Sequence, residues 1–190
     1  MQETRYAIVN GGKIPVLISD ENEALLAAKA AGRAIVGLWR EDAQGDEWCV
    51  ADTLIADMEV ADERFLERIA RRRLGLPWDI CETERLTIRE IAERDYEEIM
   101  KNRVDESLDT VENVADYTKR HYEVFEFGFW TVEEKKSGSL VGVVGFRIPQ
   151  DDGIRGVDYY VLSLSDKNSW NDTLEIGYHI FPEYRRKGYA

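Results

Sequence analysis

The feature that most constrains this chain is its last stretch, Leu174 to Ala190. Leu174, Ile176, Tyr178 and Ile180 alternate with Glu175, Gly177, His179 and Phe181, the two-residue period of a strand with one buried face. Pro182 has no N–H to give to a ladder, so the strand closes there. The turn that follows carries Arg185, Arg186 and Lys187 directly before Gly188, with Ala190 two residues on. A turn of this kind is suited to anions. Small residues let the backbone approach a ligand, and successive N–H groups point at one spot. If a helix begins there, the positive end of its dipole adds to the attraction. The plainer reading is a solvated basic turn that binds nothing.

With those residues in view, the run from Glu175 to Ala190 resembles the acetyl-coenzyme-A-binding motif of the GNAT superfamily of N-acetyltransferases. It is most similar to the branch that includes the ribosomal-protein N-terminal acetyltransferases. Thr83-Glu84-Arg85-Leu86-Thr87-Ile88-Arg89 resembles the first strand of the same branch, at the upstream position where the family places it. The resemblance implies an α/β (α+β) chain: a small N-terminal α/β unit over 1–78, then, over 79–190, the N-terminal part of a GNAT fold with a mixed, mostly antiparallel sheet and helices. It implies transfer of an acetyl group from acetyl-CoA to a primary amine, on a small molecule or a protein N-terminus, without a metal. The chain departs from the family by ending at Ala190, where the family's cofactor helix begins. It therefore reads as a truncated acetyltransferase that is inactive alone.

Composition narrows the partners. Lys+Arg 25 against Asp+Glu 38 gives a net charge of −13, the wrong sign for a nucleic-acid partner. An acidic body suits a cationic amine as acceptor. Cys49 and Cys81 are too few and too far apart for a disulfide framework or a zinc site, and His121 and His179 offer no ligand spacing. The N-terminus carries no secretory pattern and no apolar run reaches spanning length, so a soluble cytoplasmic protein is expected, with no membrane partner.

Along the chain, Ile14–Ser19 reads as a buried strand, Asp20–Ala31 as a helix stopped by Gly32, and Ala34–Trp39 as a second strand, an order that suggests a parallel crossover. Trp48–Ala51 starts a third strand. Asp62 caps a helix to Arg73 with Phe65, Leu66 and Ile69 as its stripe, and Arg71–Arg73 complement its dipole and face water. No Gly-rich phosphate loop follows the first strand, so this unit is a packing or partner-docking module. Leu76-Pro77-Trp78 marks the boundary. Ile80–Glu90 reads as one strand, with Leu86 and Ile88 on one side and Arg85, Thr87 and Arg89 on the other. Helices are expected over Asp95–Val104 and Val111–Phe127. Tyr117, Tyr122, Phe125 and Phe127 there are either core or the lining of an acceptor pocket. Phe129–Glu133 and Leu140–Phe146 flank Lys135–Gly138 as a hairpin, with Gly142 and Gly145 marking bulges or close backbone approach. Asp151–Asp172 lengthens the sheet or loops over the cleft.

Direct attack by an amine on a thioester needs a base, oxyanion donors and a grip on the cofactor, but no nucleophilic side chain. Glu175 is the candidate base by family analogy, with His179 on the same strand face second. The competing reading of Glu175 is a cross-strand charge. Main-chain groups of Ile180 and Phe181 are expected to meet the pantetheine arm, and Arg185, Arg186, Lys187, Gly188 and Ala190 the pyrophosphate. The family's Tyr that protonates the departing thiolate falls past Ala190, so no residue is assigned to it. The rival from another class is a non-catalytic α/β interaction module whose basic turn is incidental.

Overall fold

The chain starts with a hairpin. β1 (Gln2–Val9) and β2 (Gly12–Ser19) pair antiparallel in unbroken register from Gln2 opposite Ser19 to Val9 opposite Gly12. Asn10 and Gly11 join them with φ of +50° and +78°, the left-handed pair that a two-residue turn of this twist demands. The hairpin was missed in the sequence reading, because β1 is half polar and only Ala7 and Val9 turn fully inward. In the computed structural model, residues 1–39, 49–147 and 174–190 are described. They divide into two units, Met1–Trp78 and Asp79–Ala190.

In the first unit α1 (Asn22–Ala30) carries the chain from β2 to β3 (Ala34–Leu38), which pairs parallel with β2, as the strand–helix–strand order suggests. β4 (Leu54–Ile55) adds in parallel to β3, giving the order β1-β2-β3-β4. The expected strand at 48–51 is not there. Cys49–Ala51 are irregular, Val50 and Ala51 are buried against Leu17, Leu25 and Ala28 beside α1, and Trp48 lies outside the described residues. On the other face α2 (Glu63–Arg73) lays Phe65, Leu66, Ile69 and Ala70 on Val16, Ile18 and Val36. Both faces of β2 are therefore covered, which is why Val16, Leu17 and Ile18 are apolar without alternation. Asp62 caps α2 by accepting the Phe65 N–H at 2.7 Å. Arg71 does not simply face water: it pairs with Glu67 at 2.8 Å and lies 5.9 Å from the Trp78 ring.

The second unit is a five-stranded antiparallel sheet in sequential order: β5 (Asp79–Glu82), β6 (Leu86–Glu90), β7 (Phe129–Glu134), β8 (Ser139–Arg147) and β9 (Glu175–Ile180). What reads as one strand over Ile80–Glu90 is a hairpin. Thr83 bends the chain by taking the Leu86 N–H on its hydroxyl at 3.0 Å and giving its own N–H to the Leu86 carbonyl at 2.8 Å. The β7–β8 hairpin around Lys135–Gly138 is present as expected, with a bulge between Val132 and Glu133. Gly142 and Gly145 mark close approaches: a Cβ would stand 2.4 Å from the His179 carbonyl oxygen at the first and 2.1 Å from that of Gly128 at the second. The Asp151–Asp172 segment lies outside the described residues.

Short helices cover one face of this sheet. A 3-10 turn at Glu93–Asp95 leads into α3 (Tyr96–Lys101), shorter than the expected Asp95–Val104 because Arg103 turns left-handed at φ +46°. α4 (Val111–Asp116) runs through a π-helical segment, Tyr117–His121, into α5 (Tyr122–Phe125). Glu126 at φ +58° ends it, so Phe127 is outside the helix. Ile99, Leu108 and Val114 from this layer meet Val143 and Phe181 from the sheet side. Tyr122 ties the layers by accepting the Ile91 N–H at 3.1 Å and donating to the Phe129 carbonyl.

Arg89 is the unexpected member of the core, only 4% exposed. It makes paired bonds to Asp95 at 2.6 and 2.9 Å, two to Glu133 at 3.0 and 2.8 Å, and one to the Glu90 carbonyl at 3.1 Å. Burial opposes its charge, and Asp95 then Glu133 more than offset that, so its pKa is raised.

β9 is the second surprise. Its outward side is the apolar one: Ile176 and Tyr178 are 64% and 69% exposed, whereas Phe181 is fully buried. The register explains this. His179 lies opposite Val143 and Gly177 opposite Gly145, on the face that the helices cover.

Candidate active site

β9 positions the site. Because side chains alternate along a strand, Glu175, Gly177 and His179 come out on the helix-covered face. There they line a cleft of about 200 Å³, completed by Val104, Asp105, Phe129 and Arg147. Glu175 stands opposite Arg147 in the β8–β9 ladder. Both of its carboxylate oxygens take a guanidinium N–H from Arg147 at 3.0 Å, the cross-strand pair that was the competing reading for this residue. Arg147 also reaches toward Asp105, 3.9 Å from Nη1 to Oδ2.

His179 differs. Its Nε2 is buried and has no hydrogen-bond partner among the described residues. Burial, with Arg185 adding to it, lowers the imidazole pKa below its ordinary value, so the ring is neutral at pH 7. A neutral ring keeps one nitrogen lone pair for a proton.

β9 ends where Pro182 ends it. The Phe181 N–H is spent on the Val141 carbonyl at 3.0 Å and its carbonyl accepts from Tyr184 N–H at 2.9 Å. Since adjacent residues of a strand present their main-chain groups to opposite edges, those of Ile180 turn toward the edge of β9 that no described strand covers. There the Ile180 carbonyl takes the Arg185 Nε–H at 2.9 Å.

After a 3-10 turn at Pro182–Tyr184 the backbone goes left-handed twice within three residues, at Arg186 (φ +61°) and Gly188 (φ +70°). Among the described residues, no acceptor takes the main-chain N–H of Arg186, Lys187, Gly188, Tyr189 or Ala190. The carbonyls, by contrast, are held. Arg85 donates from Nη1 to the Lys187 carbonyl at 3.2 Å and from Nη2 to that of Gly188, with its guanidinium 5.0 Å from the Tyr189 ring. Tyr189 in turn donates to Glu134, which also accepts from Ser137 Oγ at 2.6 Å. Those two bonds, Ser137 first, hold the Glu134 carboxyl below its usual range. The geometry fixes carbonyls inward and leaves amides open, which is the requirement for gripping a diphosphate. Arg185, Arg186 and Lys187 all lie on this turn, with the Lys187 ammonium 4.8 Å over the Tyr184 ring.

The structure thus brings Glu175 and His179 into one cleft and gathers Arg185 to Ala190 into one turn. Arg85, Asp105 and Arg147 were missed as site residues. Arg85 lay within a recognised strand match, and the other two act only through partners far off in the chain. Among the described residues no group of three or more His, Cys, Asp or Glu is placed to hold a metal ion, and no helix is long and apolar enough to cross a membrane.

No solved structure matches the chain. The family model described as the acetyltransferase (GNAT) domain matches residues 85–190, more than half of the chain and the whole of the sheet from β6 to β9 with its basic turn. The chain belongs to the GNAT acetyltransferase family.

Proposed function

We propose that the protein transfers the acetyl group of acetyl-CoA to a primary amine, with the turn Arg185–Ala190 holding the cofactor's diphosphate. The observation that carries this reading is the row of open amides from Arg186 to Ala190, backed by Arg186 and Lys187 and held in shape by Arg85. The pantetheine arm runs along the edge of β9 that no described strand covers and meets the main chain of Ile180. Phe181 serves by filling the core beneath that edge, since its N–H is already used.

In the cleft an ammonium must lose a proton before its nitrogen can attack the thioester carbon. The carbonyl π electrons move onto oxygen as the C–N bond forms, the C–S bond breaks as they return, and the released thiolate takes the second proton from the nitrogen, leaving a neutral amide and a thiol. Glu175 takes the proton only if Arg147 releases it. His179, neutral and with no hydrogen-bond partner for Nε2 among the described residues, meets the requirement as it stands, and Glu175 then serves to place Arg147 and the charge of the cleft. Within the family, the likeness of Thr83–Arg89 and Glu175–Ala190 to the ribosomal-protein branch makes a protein N-terminus one acceptor to try first.

The test is calorimetry with acetyl-CoA on the wild type and on Arg186→Glu/Lys187→Glu. Reversing two cations beside a diphosphate is expected to weaken binding by at least about tenfold, roughly 1.4 kcal/mol. Equal affinities would contradict the assignment of the turn. In assays of transfer, His179→Gln is expected to lower kcat and leave the KM for acetyl-CoA unchanged, whereas an unaltered kcat would return the proton to Glu175.

A further inference from the structure

Beside the cleft lies a second cavity of about 300 Å³ walled by Tyr117, His121, Phe125, Phe127, Phe129 and Phe146. Asp105, Phe129 and Arg147 line both spaces, so the two lie side by side. The aromatic walls are built rather than incidental. The π-helical segment brings Tyr117 and His121 face to face at 4.3 Å and 13° between planes, and single-turn π segments within helices recur at functional sites. The Tyr117 hydroxyl is fixed by the Phe129 N–H at 2.6 Å. Gly128 makes room for the pair, since a Cβ there would stand 2.2 Å from that hydroxyl and 2.8 Å from His121. Phe125 and Phe127 continue the wall, with centroids 6.0 Å apart, and Phe125 stays 42% exposed, unlike a core ring.

The charge at the junction is acidic. Asp105 and Glu175 share one guanidinium, that of Arg147. Asp105 uses Oδ1 for the N–H and hydroxyl of Ser107 at 2.9 and 2.7 Å, while among the described residues Oδ2 accepts no hydrogen bond and pairs only with Arg147, at 3.9 Å. A ring in the aromatic cavity would therefore present an attached ammonium to an open carboxylate oxygen at the entrance of the cleft that holds His179.

We infer that the acceptor is a primary amine carried on an aromatic group, the ring lodging among Tyr117, Phe125 and Phe127 and the ammonium meeting Asp105. This rests on the acetyl-transfer reading for its meaning but not for its test. Two sources share the chemistry, a free arylalkylamine and a peptide with an aromatic N-terminal residue.

The test is amine binding to the full chain without acetyl-CoA, followed by NMR. Phenethylamine and the tripeptide Phe-Ala-Ala are compared with ethanolamine and Ala-Ala-Ala. The aromatic amines are expected to bind at least about tenfold more tightly, with contacts from the ligand ring to Phe125 and Phe127. Whichever of the two aromatic probes binds better identifies the source. Phe125→Ala, at an exposed position, should remove most of that advantage. Asp105→Asn, which keeps the Oδ1 bonds to Ser107, should remove the preference for phenethylamine over 2-phenylethanol. Equal binding of aromatic and aliphatic amines, or ring contacts elsewhere, overturns the inference. Because coenzyme A is absent, that failure is separate from failure of the basic turn, which the acetyl-CoA calorimetry reads alone.

Discussion

Arg89→Met removes the guanidinium at the centre of the second unit while keeping most of its volume. The five bonds it makes, to Asp95, Glu133 and the Glu90 carbonyl, vanish together. Glu133 is partly exposed and can turn to water, and Arg94 lies 3.5 Å from its Oε2. Asp95 has no such escape. It is 4% exposed and keeps only the Ala92 N–H at 2.7 Å on Oδ2, with Arg94 at 3.9 Å as a distant cation. Leaving one member of a buried pair charged and alone costs about 3–5 kcal/mol. That is a large share of the roughly 5–15 kcal/mol that holds a domain folded. Urea unfolding of the full chain, with hydrogen exchange on peptides from β6 and α3, should show the loss confined to the second unit. Arg89→Met/Asp95→Leu should recover much of it, because replacing both charges with apolar groups is nearly neutral. A single-variant cost below about 1 kcal/mol, the range of a surface pair, would refute the claim that this network is part of the core.

Two further perturbations test other parts of the structure. Gly145→Ala forces a Cβ to 2.1 Å from the Gly128 carbonyl oxygen, so β7 and β8 must part; a loss of about 1–3 kcal/mol is expected in thermal unfolding, and an unchanged midpoint would contradict the close approach. His121 and His179 are both held below the ordinary value, in each case first by burial. Below about pH 6.5 the unfolded chain binds protons that the fold refuses, so stability falls as pH drops through that value toward the lowered folded ones and is flat above it. His121→Gln/His179→Gln should flatten that slope in urea titrations between roughly pH 5 and 7, and an unaltered slope would count against it.

Much of the fold was legible because the signals were local. Alternation in Glu175–Ile180, the stop at Pro182, the polar turn at Lys135–Gly138 and the cap at Asp62 are all decided by neighbours in the chain. What escaped depends on distant partners. Arg89 looks like an outward strand residue until Glu133, forty-four positions on, arrives beside it. The facing of β9 escaped because alternation tells that one side is covered without telling which, and register with β8 gives the covered side to His179. The hairpin at Asn10-Gly11 was present in local chemistry and masked by a polar first strand. In the site, the turn and both candidate bases were visible, but the π segment and the Asp105–Arg147–Glu175 contacts leave no periodic trace.

The central claim is that the amides after β9 are open for a diphosphate. Nitrogen-15 NMR of the chain during titration with coenzyme A, and separately with pyrophosphate, reads those amides one by one and registers weak binding as well as strong. The amide signals of Arg186 to Ala190 should move in saturable fashion with both ligands, and only coenzyme A should also move that of Ile180. Signals from the turn that stay still while others shift, or that do not respond to either ligand, would contradict it.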